Sequence, residues 1–142
     1  MLAERQKWFR EFEKVKTRPV PQDNLMLPCI GTVRVTVLSG KNIPCDMESY
    51  CSLDLNIQNT ETRPVGGLNP IWNQSEVLCM ASFDDVLRLS VFNYKKYAPN
   101  ELLGFKDLSL DFLEYYNERS TEPMTVPVGS GSVTISFQYR QL

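Results

Sequence analysis

The feature that most constrains the fold is a change of hydrophobic period at Gly31. From this residue onward, apolar and polar side chains alternate at every second position: Val33, Val35 and Val37 against Thr32, Arg34 and Thr36. A period of two predicts a β-strand with one buried face. Further strands are predicted near residues 50–57, 60–65, 74–80, 86–92, 103–109, 123–128 and 132–139, with a short helix over 111–117. The pattern predicts an all-β fold, an antiparallel β-sandwich of eight strands.

Residues 2–16 have a helical period instead. Trp8, Phe12 and Val15 recur at helical spacing, and Phe9 widens the apolar stripe to an arc of roughly 120°. The prolines that follow end the helix. We therefore expect an N-terminal amphipathic helix, which must dock on its own sandwich, on a second copy, or on a membrane or partner, because isolated helices of this length are marginal in water. Of these surfaces, we expect Trp8 and Phe12 to bury against the sandwich or against a partner chain in an oligomer.

The net charge also differs between the predicted N-terminal helix and the rest of the chain. Residues 1–18, the helical extension, carry six Lys/Arg against three Glu, a net charge of +3. The proline-rich connection (19–30) and the sandwich (31–142) together carry nine against fourteen, a net charge of −5. A domain this acidic with no basic-aromatic array does not suit nucleic acid, whose binding depends on neutralising phosphates.

The composition also argues against catalysis and against metal or other cofactors. The chain has no histidine, which is the commonest general base, and no glycine-rich phosphate loop opens a helix. Its four cysteines have no CxxC spacing, so free thiols in a reducing, cytoplasmic compartment are the preferred interpretation. No apolar run approaches the roughly 20 residues of a membrane span.

A shaped loop at residues 66–73 (GGLNPIWN) separates two of the β-like runs. The simplest interpretation is a structural one: the loop forms a corner of the sandwich, and the Trp72 side chain fills the end of the core. Residues 68–73 also resemble the LNPxWN signature of C2 domains. Stretches that agree with that family in order and spacing are 31–38 with 41–44, 50–55, and 87–92 with 102–104. The resemblance covers about residues 31–142 and implies a C2-like sandwich of the circularly permuted, type II strand order, whereas an immunoglobulin-like sandwich is the competing fold.

C2 domains that bind calcium do so with about five aspartates from the first and third loops at one end of the sandwich, since calcium takes six to eight oxygen ligands. By this resemblance, Asp46 and Glu48 stand at the ligand positions of the first loop. The third loop offers Asn93, Lys95 and Asn100 instead of aspartates. An ammonium about 4 Å from a divalent ion costs on the order of 8 kcal/mol at an effective dielectric of 20. We therefore expect a degenerate site that binds no calcium.

The third loop is also a candidate binding surface. Its run of aromatic and basic residues suits either an anionic membrane surface or a protein hot spot, and the plain alternative is a solvated loop with two ordinary lysines. The candidate ligand- or partner-binding residues are Tyr94, Lys95, Lys96 and Tyr97, together with Trp8 and Phe12 of the helix. Two lysines contribute only about 2 kcal/mol at a membrane.

These observations predict a calcium-independent C2-like binding module rather than an enzyme. The leading function is protein–protein interaction within a larger signalling, scaffolding or trafficking protein. The alternative is weak peripheral binding to anionic phospholipid through residues 93–101 and the N-terminal helix. The expected location is cytoplasmic, at the membrane periphery under the alternative.

Overall fold

The alternating residues after Gly31 form the first strand of a two-sheet sandwich. A computed structural model describes residues 28–116 and 118–142. One antiparallel sheet has the order β5-β1-β9-β8 and the other the order β3-β2-β6-β7, with β4 also paired to β2. The strands are β1 (Gly31–Lys41), β2 (Glu48–Leu55), β3 (Gln58–Glu61), β4 (Val65–Gly66), β5 (Ile71–Met80), β6 (Val86–Tyr94), β7 (Glu101–Ser109), β8 (Met124–Val128) and β9 (Gly131–Gln141).

The core lies between the two sheets. Val33, Val35 and Val37 are fully buried and face Leu53 and Leu89 of the opposite sheet within one hydrophobic cluster. The period of two therefore predicted both the strand and its buried face, as expected for a half-buried sheet. The all-β, antiparallel sandwich expected from the sequence is confirmed.

Trp72 occupies the position expected for it in the core. Its side chain is fully buried, and its indole Nε1 donates a hydrogen bond of 2.9 Å to the carbonyl oxygen of Ser49. A Cβ built on Gly40 would lie 2.9 Å from the indole ring, so a glycine is required at this contact. The buried ring thus joins β5 to β1 and β2.

The prediction of eight strands was wrong, because the described residues form nine. The predicted strand 60–65 divides into β3 and the two-residue β4. Pro64 has no N–H to donate to a ladder, and the N–H of Arg63 bonds the Gln74 side chain at 3.0 Å instead of β2. Pairing with β2 resumes only at Val65, opposite Ser49.

Two helical predictions have different outcomes. The helix predicted over 111–117 is a shorter 3₁₀ helix, Asp111–Tyr115, whose Leu113 is buried in the core. The N-terminal helix of residues 1–18, with Trp8 and Phe12, lies outside the described residues. Within the described ranges, no helix is long and apolar enough to cross a membrane.

Candidate binding surface at the loop end

Three loops meet at one end of the sandwich, which we call the loop end. Two backbone N–H groups of the first loop join it to the second loop and to the end of β6, from which the third loop begins. Ile43 donates to the carbonyl oxygen of Leu68 at 2.9 Å, and Asp46 donates to the side-chain oxygen of Asn93 at 3.1 Å. The three loops are loop 1 (residues 42–47), loop 2 (67–70) and loop 3 (95–100).

Asn93, the last inward-facing residue of β6, is the centre of the site. Its side chain is 1% exposed, and its amide nitrogen donates to Asp46 Oδ2 at 3.0 Å and to Glu101 Oε1 at 3.1 Å. Its amide oxygen accepts the Asp46 backbone N–H. One buried amide therefore satisfies two carboxylates and joins loop 1 to the start of β7.

Lys95 and Asn100 extend this network across loop 3. The ammonium nitrogen of Lys95 lies 3.7 Å from Glu101 Oε1, and its backbone N–H donates to Asn100 Oδ1 at 2.8 Å. Asn100 Nδ2 in turn donates to the Tyr50 hydroxyl at 2.9 Å. Burial raises the pKa of Tyr50, and the hydrogen bond from Asn100 opposes that rise.

The structure thus brings four of the five predicted degenerate positions into two hydrogen-bonded pairs, which Glu101 joins through a hydrogen bond and an ion pair: Asp46 with Asn93, and Lys95 with Asn100. The fifth, Glu48, begins β2 opposite Gly66 and Tyr94, and its carboxylate makes no hydrogen bond or ion pair among the described residues. No cluster of three or more His, Cys, Asp or Glu that could hold a metal ion occurs in the part of the chain that the structure describes.

Glu101 is a member of this network that the sequence reasoning missed. It lies opposite Asn93 in the β6–β7 ladder, accepts a hydrogen bond from Asn93 and forms an ion pair with Lys95. A signal was present, because loop 3 ends on an acid whose spacing from Asn93 allows the two to pair across a hairpin. A charge count along the loop would have found it.

Each loop also carries one apolar side chain that projects into solvent. Tyr97 is 91% exposed, Met47 77% and Leu68 56%. We call these three residues the apolar tips. Lys96 extends over the Tyr97 ring at 5.6 Å. Single apolar residues in loops have no periodicity, so Met47 and Leu68 were not predicted.

Tyr94 does not share this position with Tyr97. It is 37% exposed and lies edge-on to Tyr50, with ring centroids 6.4 Å apart, on the outer face of the five-stranded sheet. The predicted run of residues 94–97 therefore divides between two surfaces. Tyr97 and Lys96 belong to the loop end, whereas Tyr94 belongs to a sheet face.

Comparison with known proteins places this geometry in a family. The model of the C2 domain matches residues 31–124. Two Arabidopsis thaliana proteins are similar: the probable ADP-ribosylation factor GTPase-activating protein AGD13, 30% identical over 90 residues, and AGD12, 30% identical over 95 residues. The matched parts cover 60% and 63% of this chain but only 27% and 28% of those relatives.

Solved structures share the fold. A C2 domain of plant Extended Synaptotagmin 1 has a TM-score of 0.72 at 18% identity, with 80% of this chain and 97% of that one covered. Human GIVD cytosolic phospholipase A2 has a TM-score of 0.69 at 16% identity, with 82% of this chain and 18% of that one covered. Because the family model spans more than half of the sequence, the assignment is plain: the chain belongs to the C2 domain family.

Proposed function

We propose that this C2 domain is a calcium-independent binding module that docks a protein partner, or another part of a larger protein, through its loop end. The observation that carries the proposal is the network around Asn93, in which the domain's own amide and ammonium groups satisfy the two carboxylates of the site. The curated relatives support a place in a larger protein, because the matched segment is less than a third of each.

The donor set around Asn93 does not fit calcium. Calcium takes six to eight oxygen ligands, whereas here an amide nitrogen and an ammonium are directed at the carboxylates. The side-chain oxygens of Asn93 and Asn100 already accept backbone N–H groups. A bound ion would have to break these contacts and overcome repulsion from Lys95 of about 8 kcal/mol at 4 Å and an effective dielectric of 20.

The charge of the loop end favours a protein over an anionic membrane. With the residues that flank the loops, Asp46, Glu48 and Glu101 stand against Lys41, Lys95 and Lys96, a net charge of 0. Lys95 is paired with Glu101, which leaves two lysines to attract lipid, worth only about 2 kcal/mol. Met and Tyr, the two most exposed of the apolar tips, are residue types enriched at protein interfaces.

Shallow membrane insertion is the second candidate, and the apolar tips are the observation that favours it. Burial of an apolar side chain such as Met47 or Leu68 contributes about 1.5–3 kcal/mol each. Binding of this kind would need no calcium and would depend little on anionic lipid. The attraction would remain weak, since the apolar tips are three separate side chains on three loops.

Vesicle co-sedimentation with chelator or calcium, on neutral phosphatidylcholine or mixtures with phosphatidylserine, tests the proposal. We expect no sedimentation in any condition and no shift of the melting temperature with millimolar calcium. Partner capture from cell extract is then compared for the parent, Met47→Ala/Tyr97→Ala and the control Tyr115→Ala. Tyr115 is 77% exposed, like Met47, but lies on the 3₁₀ helix at the opposite end of the sandwich.

Each outcome decides between the candidates. A partner retained by Tyr115→Ala and lost by the double variant supports the proposed function. Sedimentation without calcium that the double variant abolishes would favour the membrane candidate. Sedimentation or stabilisation that requires calcium would contradict calcium independence.

A further inference from the structure

The outer faces of the two sheets have opposite character. On the four-stranded sheet, the residues that alternate with the buried valines are mainly Ser and Thr. Their only charged members are basic: Arg34, Lys41 and Arg140, a net charge of +3. No acidic side chain stands on this face among the strand residues that the structure describes.

The five-stranded sheet presents an apolar and acidic face. Its cross-strand register places five apolar side chains together, which we call the outer patch: Tyr50, Phe92, Tyr94, Leu102 and Phe105. Acidic residues on the same face are Glu48, Asp54, Glu61 and Asp107, against the single cation Arg88, a net charge of −3. The Tyr50 and Phe92 rings stack with centroids 5.3 Å apart.

Burial differs between the two faces as well. Ser52 and Ser90, the paired residues at the centre of the acidic face, are only 4% and 6% exposed. Thr36 and Ser136, a comparable pair on the basic face, are partly exposed. At the margin of the outer patch, Leu102 is 51% exposed. The acidic face therefore presents exposed apolar side chains, Leu102 and Phe105, beside acidic residues, and an exposed apolar patch of this kind marks an interaction site.

We propose that the amphipathic helix predicted for residues 2–16 docks on the outer patch, with Trp8 and Phe12 against its aromatic rings. Charge complementarity selects this face, because residues 1–18 carry +3, the outer-patch face −3 and the opposite face +3. The apolar stripe of the predicted helix also finds a cluster of aromatic rings there, whereas the exposed apolar residues of the opposite face, Ile71 and Val77, stand singly among Ser, Thr and basic side chains.

The dimensions agree with this placement. The described chain begins at Pro28, and the bond from Ile30 N to Met80 O puts that start at the end of the sandwich opposite the loop end, where β6 also starts. Residues 17–27 span up to about 36 Å when extended, whereas the two sheets pack about 10 Å apart. Along β6, Arg88 to Tyr94 covers about 20 Å, close to the length of about 22 Å for a 15-residue helix.

Acrylamide quenching of Trp8 fluorescence in the full chain tests the proposal. The chain has two tryptophans, and Trp72 is fully buried, so Trp8→Phe supplies the reference for Trp72 emission. The test variant is Leu102→Glu/Phe105→Glu. Its matched control is Val77→Glu on the basic face, where Val77 is 50% exposed and Phe105 46%.

Docking on the outer patch predicts that Trp8 is protected in the parent and in Val77→Glu. In the double variant its quenching constant rises several-fold, while the Trp72 signal and the sedimentation mass stay unchanged. Freely quenched Trp8 in the parent would overturn the proposal, as would exposure of Trp8 by Val77→Glu. Protection that appears only with doubled mass would assign the helix to a second copy, and protection only on phosphatidylserine vesicles would assign it to a membrane.

Discussion

Asn93→Asp tests the central contact of the loop end. The substitution replaces the amide nitrogen with an oxygen of nearly the same size. It removes both hydrogen bonds that the amide donates, to Asp46 at 3.0 Å and to Glu101 at 3.1 Å. It also places a third carboxylate between the other two at a position that is 1% exposed.

The cost follows from these contacts. A hydrogen bond to a charged group contributes about 1.5–3 kcal/mol, so the loss of two costs about 3–6 kcal/mol. Repulsion between like charges about 4 Å apart, about 4 kcal/mol at an effective dielectric of 20, favours protonation of the introduced carboxyl and raises its folded-state pKa above the ordinary value of about 3.9. The variant then binds more protons folded than unfolded, so its stability falls as pH rises through the raised pKa.

Denaturant unfolding at neutral pH and near pH 5 measures both effects. We expect a loss of about 3–6 kcal/mol at neutral pH, which shrinks at the lower pH. Asn69→Asp is the control, because Asn69 lies at the same end, is exposed, and acts through its oxygen toward Asn42 N, which a carboxylate retains. A loss below about 1 kcal/mol, or one equal at both pH values, would refute the network described around Asn93.

Two further predictions concern the core. Trp72→Ala should lower the free energy of unfolding by about 3–5 kcal/mol, as truncations of buried aromatic residues do. Trp72→Phe keeps most of the volume but leaves the Ser49 carbonyl without its donor, so its free energy of unfolding should lie between those of the parent and the Ala variant. Equal stability of all three in denaturant unfolding would place Trp72 outside the core. Burial raises the pKa of the Cys51 thiol, so a thiol reagent near neutral pH should label Cys51 only on unfolding. Labelling of Cys51 as fast as that of the exposed Cys79 would contradict its burial.

The fold was largely predictable because its signals are local. Alternating valines identified β1 and its buried face, and a glycine-rich loop before Trp72 identified the sandwich corner. The break between β3 and β4 within residues 60–65 does not follow from the local sequence. It depends on the bond from Arg63 N–H to Gln74, a residue of another strand whose side chain takes the place of a ladder partner. Neither periodicity nor propensity reports such a contact.

The candidate site was predictable only in part for the same reason. The substitutions at Asn93, Lys95 and Asn100 were visible because the family pattern assigns those positions. The partnership of Asn93 with Glu101, and the convergence of Met47 with Leu68, depend on how separate loops meet. A sequence pattern names candidates on each loop, but only the packed loops show which of them touch.

The network at Asn93 has a consequence for regulation under the proposed function. In C2 domains that bind calcium, the ion joins the first and third loops, and that link depends on calcium concentration. Here the link between loop 1 and β7 consists of hydrogen bonds within the chain, present whenever the domain is folded. Calcium then has no differential affinity for two states of this loop end, and a ligand without such a difference shifts no equilibrium.

Control of binding must therefore act elsewhere, on availability of the partner or on the position of the N-terminal segment. If the segment docks as proposed, Leu102→Glu/Phe105→Glu displaces it, and the variant changes partner affinity even though the apolar tips are intact. Equal affinity in the parent and this variant would show that the segment does not regulate the loop end.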